Sequence, residues 1–273
     1  MEEGKPTQWD IAAEAFLRCS KIEEPFEQPV NERLIELAEI ETGHTVVDVA
    51  TGIGDPALSA ARRVGPTGRV IATDQSSAML AVAASRAREA RLTNIEFRQL
   101  DANVFDFPEG TIDAIVCRWG LMFLSDLTDA LGRMRRSLKA GRCLAAATWS
   151  EPNSVPIISI RRSVMRVFDI PPGASDPFRL SSVPALKASA ISAGFDEVDV
   201  TQSVVAYEYA SVQAFVDAQR ALHESRLTTL LARPVEEQSE FWRTLGAAAQ
   251  PYTGADGVVR MPSAILLLAA RTH

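Results

Sequence analysis

Residues 46–57, VVDVATGIGDPA, decide the fold of this chain, because a buried strand runs there into a turn with two glycines and then into a helix. A β-branched run broken only by Asp48 is typical of a parallel strand covered on both faces. Gly52 and Gly54 lack a Cβ atom, so the backbone can turn sharply and a ligand can approach it closely. Pro56 suits the first position of the following helix, whose amides favour an anionic group. The stretch therefore predicts a ligand cradle at one edge of a parallel sheet.

The glycines alone leave two ligand classes open. Gly52, Gly54 and Ala57 also satisfy the relaxed fingerprint of a dinucleotide-binding turn. A second apolar run ends at Asp74, twenty residues beyond Gly54, where a carboxylate can accept both hydroxyls of an adenosine ribose.

A third apolar run, residues 95–99, is followed by Asp101 and Ala102. A carboxylate at this point can accept the exocyclic amine of an adenine, and the next backbone N–H can address a ring nitrogen. Asp74 and Asp101 could each instead cap a helix, since aspartate is a favoured N-cap residue. Because both fall at strand ends in the register that the motif of a ligand-binding turn demands, we interpret them as binding residues.

Further along, residues 112–117 form a fourth apolar run that leads into RWGLMFL, and an LKAG turn precedes a fifth run at 143–149. With these motifs the chain resembles the class I S-adenosylmethionine-dependent methyltransferases. More narrowly, it is similar to the branch that contains the ubiquinone/menaquinone C-methyltransferases and many small-molecule methyltransferases. DVATGIGD matches the first motif of that family, TDQSSAML the second, LDA the adenine motif and RWGLMF the segment after the fourth strand. The resemblance covers residues 8–205 and a final strand at 264–270.

The resemblance implies an α/β fold, a Rossmann-like doubly wound sheet that is mostly parallel with an antiparallel last strand, covered by a helical cap. It also implies S-adenosyl-L-methionine as cofactor, held by side chains and amides that follow the strands. The residues to which we assign cofactor binding are Asp48, Thr51, Gly52, Gly54, Asp74, Gln75, Met79, Asp101, Ala102 and Arg118. Quinone-biosynthesis members commonly have a small polar residue where Arg118 stands, which argues against a quinone-pathway substrate.

We expect one methyltransferase domain over residues 1–273, with the cap assembled from several segments. Residues 8–22 and 31–40 predict two helices, the second capped by Asn31. The expected divisions are N-terminal cap helices at 1–43, a cofactor-binding core at 44–150, a lid at 151–190, closing strands at 191–210 and 261–273, and a helical cap insert at 211–255.

The acceptor pocket is expected between the N-terminal helices, the segment 118–123, the lid and the insert. Its candidate lining residues are Phe16, Trp119, Met122 and Phe178. Their aromatic and thioether side chains favour a small, apolar or aromatic acceptor. The sequence leaves open whether oxygen, nitrogen, sulfur or carbon is methylated.

A sulfonium methyl group is already a strong electrophile, so alignment of the reactants and exclusion of water should dominate catalysis. A base is needed only if the acceptor is a hydroxyl or an acidic carbon. Among three histidines, His44 precedes the first strand and His273 ends the chain, so His223 in the insert is the candidate base. We expect no paired carboxylates in the cap.

Composition argues against several other classes of protein. The net charge is −7 without a continuous basic stripe, which disfavours nucleic-acid binding. No segment resembles a secretory signal or a run of ~18 apolar residues, so we expect a cytoplasmic protein, a monomer or homodimer, with a small-molecule substrate. Three cysteines without metal spacing predict no metal site. The remaining alternatives are an NAD-dependent oxidoreductase and a cofactor-binding protein of this fold that does not methylate.

Overall fold

Seven strands form one sheet in the computed structural model, which describes residues 7–173, 175–224 and 227–273. The order across the sheet is β3-β2-β1-β4-β5-β7-β6. Neighbouring strands from β3 to β5 are parallel, and β7 runs antiparallel to both β5 and β6. The strands are β1 Thr45–Val49, β2 Arg69–Asp74, β3 Ile95–Gln99, β4 Ile112–Arg118, β5 Leu138–Trp149, β6 Glu197–Tyr209 and β7 Val259–Arg271. The predicted doubly wound sheet with an antiparallel last strand is confirmed.

β1 lies at the centre of the parallel part of the sheet. Val46 pairs with Val70 of β2 on one side and with Ala114 of β4 on the other. The chain leaves β1 toward β2 and β3, and later returns to the opposite side of β1 with β4 and β5. In open α/β sheets a ligand binds outside the carboxyl ends of the strands at such a reversal. The turn that follows β1 is therefore placed where a ligand is expected.

Nine helices flank the sheet within the described ranges. α7 packs against α1 and α9, and α9 also contacts α5, so these helices form the cap. None of the described helices combines the length and the apolar character that crossing a membrane requires. The helices are α1 Gln8–Leu37, α2 Ala57–Val64, α3 Ser77–Glu89, α4 Leu127–Ser137, α5 Pro156–Val167, α6 Val183–Ser192, α7 Val212–His223, α8 Thr228–Leu231 and α9 Val235–Ala248.

The prediction of two N-terminal helices was wrong, because α1 is one helix of 30 residues. It begins with a capping box between Thr7 and Asp10 and continues through Pro25 and Pro29. Asn31 does not cap a helix; its side chain is buried, and its Nδ2 donates to Gln28 Oε1 at 3.1 Å. Proline removes one helical hydrogen bond and disfavours the helix locally. Packing of α1 against α3, α7 and the sheet outweighs that local cost.

The start of α2 also differs from the prediction. Pro56 is the residue before the helix rather than its first residue, and it provides no side-chain cap. The cap comes from Asp48 in β1, whose Oδ2 accepts the N–H of Ala57 at 2.9 Å. An unpaired amide at a helix start is costly when buried. The carboxylate inside the apolar strand therefore stabilises the beginning of α2.

Candidate functional site

A cavity of about 650 Å³ lies at the carboxyl ends of the parallel strands, between the sheet and the cap. Its floor follows the ends of four neighbouring strands, and its walls come from α1, α5, α7 and the segment after α5. The floor residues are Ala50–Ile53 at the end of β1, Asp74 and Gln75 at the end of β2, Leu100–Asn103 at the end of β3, and Arg118–Gly120 at the end of β4. The structure thus brings the motifs of four separate segments to one edge of the sheet.

Gly52 and Gly54 have different structural roles in the first turn. Gly52 borders the cavity with φ of +56°, and a Cβ atom built there would meet nothing within 4 Å. Its N–H donates to Asp74 Oδ2 at 2.9 Å. Gly54 has φ of +113° and faces away from the cavity; a Cβ atom there would lie 3.3 Å from Cβ of Ala83 in α3. Gly52 therefore leaves space for a ligand, whereas Gly54 lets the turn pack against α3.

Asp48 supports this turn from below. Its side chain is fully buried, and Oδ2 accepts the hydroxyl of Thr51 at 2.6 Å as well as the N–H of Ala57. Burial raises the pKa of this carboxyl to about 7 despite those two hydrogen bonds. Thr51 reaches the cavity wall, but Asp48 does not. The structure therefore places Asp48 behind the turn, as the group that fixes its shape.

Asp74 borders the cavity, and each of its two carboxylate oxygens accepts one backbone N–H. Oδ1 accepts the N–H of Ser76 and Oδ2 that of Gly52, each at 2.9 Å. Burial raises its pKa, while these two amides oppose the shift. A carboxylate oxygen has more than one acceptor position, so each oxygen can also receive a ligand hydroxyl. Gln75 and Met79 lie beside it on the same wall.

Asp101 combines the two roles that the sequence left open. Its Oδ1 accepts the backbone N–H of Asn103 at 2.9 Å and so caps the short 3-10 turn Ala102–Val104. Asp101 and Ala102 also border the cavity. A capping carboxylate and a ligand-binding carboxylate are thus compatible at this strand end, because the cap uses only one of the two oxygens.

Opposite Asp74 and Asp101, on the cap side of the cavity, lies a cluster of charged residues that the sequence analysis missed. We call it the charged wall; it contains Glu23, Glu27 and Arg118. Glu23 and Glu27 lie one turn apart on α1, and both border the cavity. Glu27 Oε2 forms an ion pair with Arg118 Nη1 at 2.9 Å, in which the two side chains are only 16% and 11% exposed, and Glu27 Oε1 accepts the hydroxyl of Tyr207 at 2.9 Å. The expectation of no paired carboxylates in the cap was wrong. Residues 23–30 fell between the two predicted helices, so the four-residue spacing of the glutamates went unrecognised.

The two glutamates perturb each other and their surroundings. Burial, and then repulsion from Glu27, raises the pKa of Glu23 to about 8, although the positive charges of Arg161 and Arg118 oppose the shift. Burial and the adjacent Glu27 also raise the pKa of the Tyr207 hydroxyl well above its ordinary value. Tyr207 therefore stays protonated at neutral pH and donates to Glu27.

His223, the candidate base, lies at the end of α7 on the cavity wall. Its Nε2 contacts Nη1 of Arg161, and the same Nη1 donates to Gln219 Oε1 at 3.0 Å. A guanidinium group has no acceptor position, so Nε2 of His223 must be the acceptor in this contact. That occupies the lone pair which would receive a proton, and His223 as a base remains only a prediction.

The four predicted lining residues divide into two pairs. Phe16 and Trp119 border the cavity. Trp119 stacks on Trp149 with ring centroids 4.1 Å apart. Met122 is 1% exposed and belongs to the main core, and the buried Phe178 packs below the guanidinium of Arg162. Met122 and Phe178 do not line the cavity, because the sequence pattern of apolar residues does not distinguish a core face from a cavity face.

The first turn of α1 covers the side of the cavity that Asp74 and Asp101 border, where the sequence predicts the cofactor and which we call the cofactor edge. Asp10 Oδ1 accepts the hydroxyl of Ser76, the N-cap of α3, at 2.6 Å. Gln8 Nε2 donates to Ser175 at 2.6 Å, and the ring of Trp9 lies 5.2 Å from that of Phe123. These contacts join α1 to the sheet edge and to the segment after α5, and so close the cavity from above.

Comparison with known proteins finds a family model and curated relatives that match part of this chain. Residues 46–141 match a family model described as a methyltransferase domain. The ubiquinone/menaquinone biosynthesis C-methyltransferase UbiE of Cellvibrio japonicus is 39% identical over 121 residues, which cover 44% of this chain and 49% of that protein. The same enzyme of Pseudomonas fluorescens is 37% identical, with 44% and 47% covered. The chain spans about half the length of these curated relatives.

Solved structures extend the likeness of fold to the rest of the chain. The YcgJ protein of Bacillus subtilis has a TM-score of 0.59 at 18% identity and covers 89% of this chain and 98% of its own. A SAM-dependent methyltransferase from Aquifex aeolicus has a TM-score of 0.51 at 21% identity, with 69% and 90% covered. The [4+2]-cyclase SpnF has a TM-score of 0.53 at 19% identity, with 89% and 80% covered. At these identities the structures show a common fold alone. Residues 46–141 of this chain thus match a methyltransferase domain, and the chain shares its fold with these solved structures.

Proposed function

We propose that this protein transfers the methyl group of S-adenosyl-L-methionine to a small, apolar or aromatic acceptor. The observation that carries the proposal is the single cavity that joins the strand-end carboxylates Asp74 and Asp101 to the aromatic and charged wall of the cap. The matched methyltransferase domain favours this activity over an NAD-dependent oxidoreductase.

The residues of the cofactor edge fit an adenosylmethionine. Open space in front of Gly52 lets a ligand approach the backbone, and Asp74 and Asp101 offer acceptors for ribose hydroxyls and an adenine amine. Gln75, Met79 and Ala102 would complete that contact surface. When bound, the cofactor supplies an electrophilic methyl group on sulfur.

The cap would exclude water from the reacting groups. Trp9 and Phe16 pack with Ile53 and Met79 in an apolar cluster beside the first turn. Removing water strengthens electrostatic contacts within the site and holds the reactants close together. We therefore assign the start of α1 the roles of covering the cofactor and excluding solvent.

The acceptor side is lined by flat and branched apolar side chains. Trp119 and Trp149 stack on each other, and both border the cavity, as does Ile157 of α5. Pockets for small molecules typically combine an apolar lining with a few polar groups that orient the ligand. This combination supports an acceptor with an aromatic or apolar body and at least one polar group.

Calorimetry with S-adenosylhomocysteine and with NADH tests the assignment of the cofactor. We expect binding of S-adenosylhomocysteine only. A panel of small aromatic and apolar compounds, incubated with S-adenosyl-L-methionine and analysed by mass, then tests methyl transfer. Binding of NADH alone would contradict the proposal, and cofactor binding without any methylated product would favour the non-methylating alternative.

A further inference from the structure

The charged wall contains one carboxylate that its neighbours do not neutralise. Glu23 borders the cavity, and no Lys, Arg or His nitrogen of the described ranges lies within ion-pair distance of it. The titratable and charged groups that surround this part of the cavity are Glu27 and Cys19 of α1, Arg118 of β4, Arg161 of α5, Tyr207 and Tyr209 of β6, and His223 of α7.

Glu27 cannot serve a ligand in the same way. One of its oxygens is ion-paired with Arg118 and the other accepts the hydroxyl of Tyr207. These contacts hold Glu27 between β4 and β6. Glu23, one helical turn away, borders the cavity, and the Tyr209 hydroxyl beside it acts to lower the pKa of its carboxyl group. Of the two glutamates, Glu23 is therefore the one with the capacity to bind and accept a proton.

We propose that Glu23 is the catalytic base and that the acceptor is a neutral phenol-type hydroxyl. In the transfer, the hydroxyl oxygen forms a bond to the methyl carbon while the carbon–sulfur bond breaks and its electron pair remains on sulfur. The hydroxyl proton passes to the Glu23 carboxylate, which later releases it to solvent. This inference rests on the proposed function and specifies its acceptor as an oxygen nucleophile.

The local charge favours a neutral hydroxyl over an ammonium group. The described charged groups that act on Glu23 are one further carboxylate, that of Glu27, and the two guanidinium groups of Arg118 and Arg161. With Glu23 ionised this set is neutral, so it does not specifically attract a cationic ligand; once the proton has passed to Glu23, the set carries a net positive charge. The same charge stabilises the oxygen of a hydroxyl as it loses its proton.

The basicity of Glu23 suits this acceptor. Burial and Glu27 raise its pKa to about 8, toward the value of about 10 that is typical of a phenol. A base whose pKa approaches that of the proton donor transfers the proton more favourably than an ordinary carboxylate. Since only the ionised form accepts a proton, the rate should rise about tenfold per pH unit below about pH 8 and then level off.

The first test measures binding with matched probes and needs no turnover. The probes are 2-naphthol and 2-methoxynaphthalene, titrated at about pH 8.5 into protein saturated with S-adenosylhomocysteine. We expect 2-naphthol to bind about 10- to 100-fold more tightly than the ether, since a hydrogen bond to a carboxylate contributes that difference. Glu23→Gln should remove most of the preference, and Glu14→Gln, an exposed carboxylate on the same helix, should keep it.

The second test measures the initial rate of methyl transfer from pH 6 to 9 with the phenols that the panel shows to be methylated. Glu23→Gln should lower the rate by about 10²- to 10⁴-fold and remove the pH inflection. Glu23→Asp should restore part of the rate, and Glu14→Gln should behave like the wild type. Thermal melting checks that each variant is folded.

The outcomes separate this inference from the proposed function. Protein that binds S-adenosylhomocysteine but shows no preference for 2-naphthol, or that methylates only amines, overturns the role of Glu23 and leaves methyl transfer standing. An unchanged pH profile in Glu23→Gln overturns it as well. Failure to bind S-adenosylhomocysteine would instead contradict the proposed function itself.

Discussion

The carboxylates of the cofactor edge and those of the charged wall are stabilised in different ways. Asp74 and Asp101 accept backbone amides that lie within a few residues or on the adjacent turn. Glu27 takes its partners from β4 and from β6, and the hydroxyl of Tyr207 is 180 residues away along the chain. A site built from local turns can be recognised as a motif, whereas a site built from distant segments exists only in the folded chain.

The difference also separates binding from stability. Loss of a carboxylate at the cofactor edge removes contacts to a ligand, and the partners that it leaves behind are neutral amides. Loss of one charge in the charged wall leaves the charge of its partner uncompensated. Variants on the two sides of the cavity should therefore fail in different measurements.

The largest expected effect is on cofactor affinity. Asp74→Ala should weaken binding of S-adenosylhomocysteine by at least about 10²-fold, because two charge-assisted hydrogen bonds of roughly 1.5–3 kcal/mol each are lost. Calorimetry measures this change, with a melting curve to check folding. The exposed Asp106→Ala is the matched control and should bind normally. Wild-type affinity in Asp74→Ala would contradict the assignment of Asp74.

The second effect concerns the contribution of the charged wall to the stability of the fold. Arg118→Met should lower the free energy of unfolding by roughly 3–5 kcal/mol, because Glu27 is left as a buried, uncompensated charge. Urea titration measures the loss, and the double variant Arg118→Met/Glu27→Gln should regain much of it. Arg260→Met removes the exposed pair with Asp256 and should cost at most about 1 kcal/mol. Equal losses in the two arginine variants would remove the distinction between the buried and the exposed pair.

The third effect depends on pH. The folded protein holds the pKa of Glu23 near 8, above its unfolded value, so the folded state binds the proton more tightly. This contribution to stability is complete at low pH and is lost as pH rises toward and past 8. Relative to Glu23→Gln, the wild type should therefore lose roughly 2–4 kcal/mol between pH 5 and 9 in urea titrations. A stability difference that stays constant over this range would show that Glu23 is ionised in the ordinary way.

The smallest effect separates the two glycines of the first turn. Gly54→Ala should destabilise the fold by about 1–2 kcal/mol, since its positive φ is strained for alanine and the new methyl group meets Ala83. Gly52→Ala carries similar strain, but its methyl group points into the cavity, so it should weaken cofactor binding as well. Melting curves measure the loss of stability in both variants, and calorimetry measures their affinity for S-adenosylhomocysteine. A binding defect in Gly54→Ala alone would reverse these assignments.

Prediction from sequence succeeded where structure is local and failed where it is tertiary. The β1 strand and its turn are specified within residues 46–57, and the acids after β2 and β3 fall in register with that turn. The continuity of α1 through Pro25 was not predictable, because packing against other elements outweighs the local preference of proline. That error concealed Glu23 and Glu27, whose common face exists only if the helix is unbroken.

Apolar residues give a further example of this limit. Phe16 and Met122 are both large and apolar, yet one borders the cavity and the other is enclosed in the core. Hydrophobicity indicates removal from bulk water and does not tell whether a neighbour is protein or ligand. The arrangement of the elements decides this, and the side-chain pattern alone cannot.

The contacts of the first turn of α1 suggest how ligands enter and leave. Gln8, Trp9 and Asp10 attach this turn to the sheet edge and to the segment after α5 through three hydrogen bonds and one ring contact. Farther along the same helix, the buried pair of Glu27 and Arg118 is much more costly to break. Local fraying of the first turn therefore requires less free energy than lifting the whole helix. We expect the dissociation rate of the product nucleoside to follow the strength of these few terminal contacts, while the acceptor wall keeps its geometry throughout the cycle.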